Sequence, residues 1–278
     1  MTTTTERPAG QATPFGPGVY DGISNAAYHR DPALGSTSLK TLATKTPSHY
    51  MWDKTHPKNS DAFTLGTAAH SLILENDWRG IVVVESDNWL TKAAKEAKVG
   101  ALAEGKQPLL TKEWIQVQAM RDSVMAHPLA RAAFTGHRAE ASVFWEEDGL
   151  SLKCRPDAWK PGLLVDLKTT INADPREFGR TAYNLGYHQS AAHYQDGVKE
   201  ATGELLLFVF VLVEKTAPYL VSVVQLDDEA LEAGRALNDR AKTIYRACEA
   251  TGLWLGYESN EPITLPYWGI KQIEELTA

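Results

Sequence analysis

Two carboxylates, Asp157 and Asp166, and one ammonium, Lys168, lie in the short stretch Lys153 to Thr170 (KCRPDAWKPGLLVDLKTT). That combination suits hydrolysis of a phosphodiester. Carboxylate oxygens hold Mg²⁺, which usually takes one or two carboxylates plus substrate phosphate and water. The cation polarises the phosphoryl oxygen and lowers the pKa of bound water. The lysine offsets the negative charge that develops as water attacks.

These groups need two neighbouring strands to bring them together. From Ser151 to Asp157 the chain alternates, with Leu152 and Cys154 apolar and Lys153, Arg155 and Asp157 charged. Successive strand side chains point to opposite faces, so the charged three share one. Leu163 to Thr169 reads as a second strand, with Asp166 and Lys168 on one face and Val165 and Leu167 on the buried one. Pro161–Gly162 permits a reversal between them. Paired antiparallel, the strands let Asp157 and Asp166 share a cation. A solvated strand face with ordinary surface salt bridges would show the same alternation, and Asp-x-Lys alone is a weak signal.

The wider pattern predicts an α/β scaffold. Ser36 or Ser38 caps a short helix to about Thr46. Phe63 to Glu75 has apolar residues at helical spacing, with His70 beside the stripe. Glu113 to Met125 is a further helix, and residues 76–135 read as mostly helical. Strands are expected at 140–146 and 150–158, joined by a turn at 147–149. Asp174-Pro-Arg-Glu177 starts a helix, with Asp as cap and Pro in the first position. It runs to about Ala201, and Gly186 is a place to interrupt it. Strands at 205–213 and 219–226 and a helix at 228–251 follow.

Pro156–Asp157 followed by Asp166–Leu167–Lys168 is similar to the PD-(D/E)xK nuclease signature. Further segments resemble the RecE-type exodeoxyribonuclease VIII branch of phage and prophage recombination nucleases. They are Tyr20 to His29 with Gly35 to Leu39 and Thr46 to Tyr50, Phe63 to His70 with Leu72 to Glu75, Glu140 to Trp145, and Leu185 to Tyr194. Together they cover about residues 18–200 in matching order. The resemblance implies a restriction-endonuclease-like core, a central mixed sheet flanked by helices, with a helical N-terminal part. It implies metal binding by Asp157, Asp166, His70, the Leu167 backbone carbonyl and Glu140, with Lys168 as the catalytic lysine. It also implies a 5′→3′ exonuclease that degrades linear double-stranded DNA from its ends. Such enzymes form rings, leave 3′ single strands and hand them to a RecT-type annealing protein for recombination. Mg²⁺ is the implied cofactor, with Mn²⁺ able to substitute. The chain departs from the branch at one point. Gln189 stands one residue early relative to Tyr-His-x-Gln, and one helical step turns a side chain by about 100°. Either the helix start adjusts, or Ser190 or His188 takes the contact; Tyr194 is the companion DNA-binding position.

Composition bounds the alternatives. The chain has 278 residues, 43% hydrophobic and 23% charged, and a net charge of −7. Phosphate contacts need local rather than total positive charge, and Lys153, Arg155, Lys160, Lys168, Arg176 and Arg180 cluster around the triad in sequence. Of these, Lys153 and Arg155 are taken as DNA contacts. Cys154 and Cys248 are too few for the four ligands of an iron–sulfur cluster. No apolar run reaches membrane-spanning length. The N-terminus lacks a signal-peptide pattern, so a cytoplasmic location in a bacterial host cell is expected. Residues 1–17 read as a disordered lead-in and 18–278 as a single nuclease domain, with its helical part at about 36–135 and its catalytic core at about 136–255. Two other readings stay open. An endonuclease or a flap- or single-strand-specific nuclease would use the same triad, and a catalytically idle DNA-binding or assembly protein would keep it only as a vestige.

Overall fold

The computed structural model describes residues 14–56, 65–257 and 262–278. At its centre lies β8 (Leu163–Thr170), buried from Leu164 to Leu167 and half-buried from Lys168 onward. It pairs antiparallel with β7 (Ala158–Lys160), in the register Ala158 opposite Val165, and parallel with β9 (Leu207–Glu214). With β10 (Val221–Val224) beyond β9 and β4 (Arg138–Ala139) beyond β7, the sheet has the order β10-β9-β8-β7-β4. The parallel β8–β9 pair requires a crossover. It is supplied by α8 (Pro175–Leu185) and α9 (Tyr187–Thr202).

A second, antiparallel sheet has the order β1-β5-β6, from β1 (Gly18–Tyr20), β5 (Ser142–Glu147) and β6 (Leu150–Cys154). The β5–β6 hairpin turns where expected, with Asp148 at φ 47° and Gly149 at φ 75°. Two positive φ values in succession match a two-residue turn with the right twist. Helices α1 (Asn25–Arg30), α2 (Ser36–Thr44) and α3 (Pro47–Thr55) precede α4 (Leu65–His70), which continues as a π-helical turn, Ser71–Glu75. Residues 63 and 64 of the expected helix lie outside the described residues.

Residues 76–135 are mostly helical, as expected, but include two short strands. Between the π turn and α5 (Lys92–Ala103) lies β2 (Ile81–Val84), which pairs parallel with β3 (Gln107–Leu110) ahead of α6 (Thr111–Ala126) and α7 (Pro128–Ala133). The run Ile-Val-Val-Val is β-branched and too short for a helix of its own. By contrast α10 (Asp228–Thr251) keeps the expected bounds. The Asp227 carboxylate accepts from the Ala230 N–H at 2.8 Å, and Gly252 closes the helix at φ 71°. Asp174 likewise caps α8, accepting from the Arg176 N–H at 2.9 Å with Pro175 in the first turn. The chain ends in α11 (Tyr267–Thr277), and no described helix is long and apolar enough to cross a membrane.

The central sheet is covered on both faces. Leu164, Phe208, Phe210 and Leu212 pack against α2, α8, α9 and α10 through Leu39, Leu42, Phe178, Ala191 and Leu231. On the opposite face Val165, Leu167, Val209 and Val211 meet Leu72, Ile73, Val117 and Met120. Burial on both faces explains why β9 reads as an unbroken apolar run. Within the stretch expected as a disordered lead-in, Phe15 stacks its ring 5.0 Å from that of Phe144.

Candidate active site

Local chemistry decides where the triad stands. The expected strand from Ser151 to Asp157 ends early, at Cys154. Pro156 has no N–H to continue a ladder, so Arg155-Pro156-Asp157 carries the chain from the smaller sheet to the central one, where β7 begins at Ala158. Asp157 therefore sits at the mouth of the β7–β8 pair. Its carboxylate accepts from the Leu167 N–H at 2.6 Å, a group that β7 is too short to reach. Asp166 and Lys168 follow on the face of β8 that holds Leu164, and the Lys168 ammonium is ion-paired with the Asp166 carboxylate. From the opposite side of the sheet, His70 at the end of α4 brings Nδ1 to 3.8 Å from the Asp157 carboxylate.

Charge within the site is strongly coupled. Burial, and then the charge of Asp166, push the Asp157 carboxyl above the usual range; His70 and Lys168 oppose the shift. Burial works against the charge on Lys168, but Asp166 and Asp157 outweigh it and hold the ammonium protonated well above its ordinary range. Glu140 adopts a left-handed backbone at φ 52°. Burial and the neighbouring Asp157 raise its pKa to about 7, with Arg155 and His70 opposing and Glu75 adding to the rise.

A cavity of about 640 Å³ opens beside this cluster, lined by His70, Glu75, Glu140, Arg155 and the Gly22–Asn25 turn. Three separate sequence segments, the one after Tyr20, the one ending at His70 and the one opening at Glu140, thus converge on one wall.

The expected DNA contacts at Lys153, in β6, and Arg155, just past its end, are corrected by the fold. Lys153, expected to meet DNA, is 6% exposed. Its ammonium donates to the carbonyls of Tyr28 at 2.6 Å and Asp31 at 2.7 Å. Burial lowers its pKa to about 8. Arg155 is also buried. It donates to Ser142 Oγ at 2.9 Å and the Ile23 carbonyl at 3.0 Å, lies 4.0 Å from the Tyr28 ring centre, and keeps Nη1 3.6 Å from Glu140 at the cavity wall.

Gly186, left-handed at φ 65°, breaks the expected long helix into α8 and α9 and resets the faces that follow. Gln189 turns inward and is 1% exposed, while His188 is buried with Nδ1 3.2 Å from the Ala182 carbonyl. Ser190 is half-buried, its hydroxyl 3.4 Å from the Gly186 carbonyl. Tyr194 is half-buried and packs its ring 6.0 Å from Phe208. Two residues of this segment stand by the triad. The Tyr194 hydroxyl is pushed well above its usual range by burial and by the charges around it, Asp166 and Asp157 among them. The Tyr187 ring lies 4.9 Å from the Lys168 ammonium. Cation–ring contact of this kind is favourable by about 0.5–2 kcal/mol. Lys40 of α2 also stands in the field of Lys168 and Asp166. No spacing rule connects Tyr187 or Lys40 to the triad, although Tyr187 lies within a segment that carried the resemblance.

Among the described residues no three His, Cys, Asp or Glu side chains are grouped so as to hold a metal ion. Asp166 is engaged by Lys168, and Asp157 by the β8 backbone. The donor chemistry nevertheless fits a hard divalent cation. The charge of Asp157 raises the proton affinity of Glu140, and that of Asp166 raises the proton affinity of Asp157; a bound cation relieves that repulsion.

The mixed sheet with helices on both faces, and an Asp–Asp–Lys set at the mouth of two antiparallel strands, define a nuclease domain of the PD-(D/E)xK class, a class that depends on divalent metal. Residues 35–257 match the family described as PDDEXK-like domain of unknown function (DUF3799), and the chain belongs to that family. The solved structure of a provisionally assigned exonuclease from Eubacterium rectale shares the fold. Its TM-score is 0.61 at 16% identity, over 92% of this chain and 98% of that one. An alkaline exonuclease from Laribacter hongkongensis matches at 14% identity over 76% of this chain and 98% of that chain, with a TM-score of 0.25. No curated protein matches the chain.

Proposed function

We propose that the chain is a Mg²⁺-dependent 5′→3′ exodeoxyribonuclease of the RecE type. It degrades linear double-stranded DNA from its ends and leaves 3′ single strands for recombination by strand annealing. The observation that carries this reading is the meeting of Asp157, Asp166 and Lys168 at one strand mouth, next to His70 and Glu140, which line a cavity. The name of the structurally similar Eubacterium rectale protein, provisionally assigned as an exonuclease, points the same way. Asp157, Asp166, the Leu167 carbonyl and His70 would hold the metal, with Glu140 beside them. The bound cation supplies a polarised phosphoryl oxygen and a more acidic water.

The remaining roles belong to the chain's own groups. Lys168 keeps its proton at neutral pH because two carboxylates face it. It therefore acts as a fixed positive charge and hydrogen-bond donor toward the scissile phosphate rather than as a base. The Tyr187 ring lies against that ammonium, 4.9 Å from it. Asp157, tied to the β8 backbone, is held in place before substrate arrives. Ring assembly, a RecT-type annealing partner and a cytoplasmic setting belong to the same proposal.

The test is digestion of 5′-phosphorylated linear duplex beside a covalently closed circle, in Mg²⁺ or EDTA, by wild type and Lys168→Ala. Loss of the linear DNA alone, dependent on Mg²⁺ and abolished in the variant, is the expected result. Cutting of the circle would replace the exonuclease with an endonuclease using the same triad. Cleavage of neither substrate would leave a DNA-binding or assembly protein.

A further inference from the structure

Lys40 belongs to α2, far from the triad in sequence, yet its side chain crosses the α8–α9 junction. A Cβ placed on Gly186 would stand 2.6 Å from Lys40 Cδ and 3.1 Å from its Cγ. Glycine at 186 therefore serves two ends: the left-handed turn, and a channel for the lysine stem. The stem delivers the ammonium to a place where its nearest hydrogen-bond acceptor is the Leu185 carbonyl, at 3.5 Å. That is the outer limit of such a bond. No carboxylate among the described residues forms an ion pair with it; the nearby Asp166 is already engaged by Lys168. Burial and the charge of Lys168 both lower the Lys40 pKa, and Asp166 only partly offsets them.

A half-buried cation beside a second cation, with one long contact to a carbonyl, is an unfavourable arrangement in the free protein. An anion relieves it, and the anion that a nuclease brings to this place is phosphate. Resting on the nuclease reading above, we infer that Lys40 and Lys168 form a two-lysine phosphate clamp across the α8–α9 junction. Lys168 faces the scissile group, and Lys40 grips a second phosphate of the same strand. That second phosphate is either an internal diester or a 5′-terminal monoester; both present the same anionic oxygens.

The experiment is equilibrium binding of duplex DNA in EDTA, by fluorescence anisotropy over a salt series. It compares wild type with Lys40→Met and Lys40→Arg, on 5′-phosphorylated and 5′-hydroxyl duplexes. Loss of one phosphate contact makes the slope of log K against log salt shallower by about one. The expected result is that loss in Lys40→Met and its recovery in Lys40→Arg. A loss confined to the 5′-phosphorylated duplex assigns the terminal monoester, and an equal loss on both assigns an internal diester. An unchanged slope and affinity in Lys40→Met overturns the clamp while leaving the nuclease intact, whereas wild type that neither binds nor cuts DNA removes the nuclease reading itself. Should Lys40→Met not fold, acetylation of wild-type lysines with and without saturating duplex decides the matter by mass spectrometry. Protection of Lys40 supports the clamp, and unaltered labelling of Lys40 in the bound complex overturns it.

Discussion

Two stretches of this molecule carry nearly the same pattern, Lys153-Cys154-Arg155, which runs off the end of β6, and Asp166-Leu167-Lys168 in β8. Each places two charged groups on one face with an apolar residue between them. Their fates differ because their surroundings differ. The α1 region closes over the β6 pair, and its carbonyls and the Tyr28 ring take up both cations. At β8 the charged pair faces another carboxylate, Asp157, and a half-buried tyrosine, so charge remains for a ligand to complete. Alternation names the face; the cover decides whether that face is core or site.

Exchanging the same substitution between the two strands puts this contrast to its hardest test. Lys168→Met is expected to lower cleavage by about 10²–10³-fold, the range for removing one electrostatic donor from a reacting centre, with little change in melting temperature. Single-turnover rates and thermal melts read the two effects. Lys153→Met should do the reverse. It leaves two buried carbonyls without their donor, at a cost of about 1–3 kcal/mol, and the salt dependence of DNA binding should stay as in wild type. Weaker DNA binding in folded Lys153→Met would break the comparison.

A smaller effect is expected at Tyr187, where Tyr187→Leu removes a contact of about 0.5–2 kcal/mol with the Lys168 ammonium. Cleavage should slow by several-fold while the affinity for duplex in EDTA holds. The smallest change concerns Glu140, whose proton leaves near 4.5 in the unfolded chain and near 7 in the folded one. Between those values the folded chain binds more protons, so its stability falls as pH rises through the window. Glu140→Gln should flatten the plot of melting temperature against pH in EDTA, and a slope identical to wild type would mean that Glu140 carries no such strain.

Much of the molecule was legible without coordinates wherever a short-range rule governs. Asp227 and Gly252 bound α10, Asp174-Pro175 opens α8, Asp148–Gly149 turns the β5–β6 hairpin, and Pro161–Gly162 returns β7 onto β8. Each depends on backbone geometry or a hydrogen bond within a few residues, which the sequence displays directly. The alternation of β8 likewise separated Asp166 and Lys168 from the buried Val165 and Leu167. Within residues 76–135, mostly helical as expected, β2 and β3 escaped the sequence reading because they are short and find their partners only in each other, across an intervening helix.

The partners of the charged groups belonged to tertiary structure alone. Lys153 is satisfied by carbonyls more than a hundred residues away, and Lys40 enters the field of Lys168 and Asp166 only because its stem passes Gly186 at the α8–α9 junction. Tyr187 came to the triad in place of Gln189 because a left-handed glycine reset the helix. Sequence determined which groups could do chemistry and which elements would carry them. Whether each charge met a carbonyl, a carboxylate or an open cavity was decided by packing, because Coulomb and hydrogen-bond energies depend on distance in space and not along the chain.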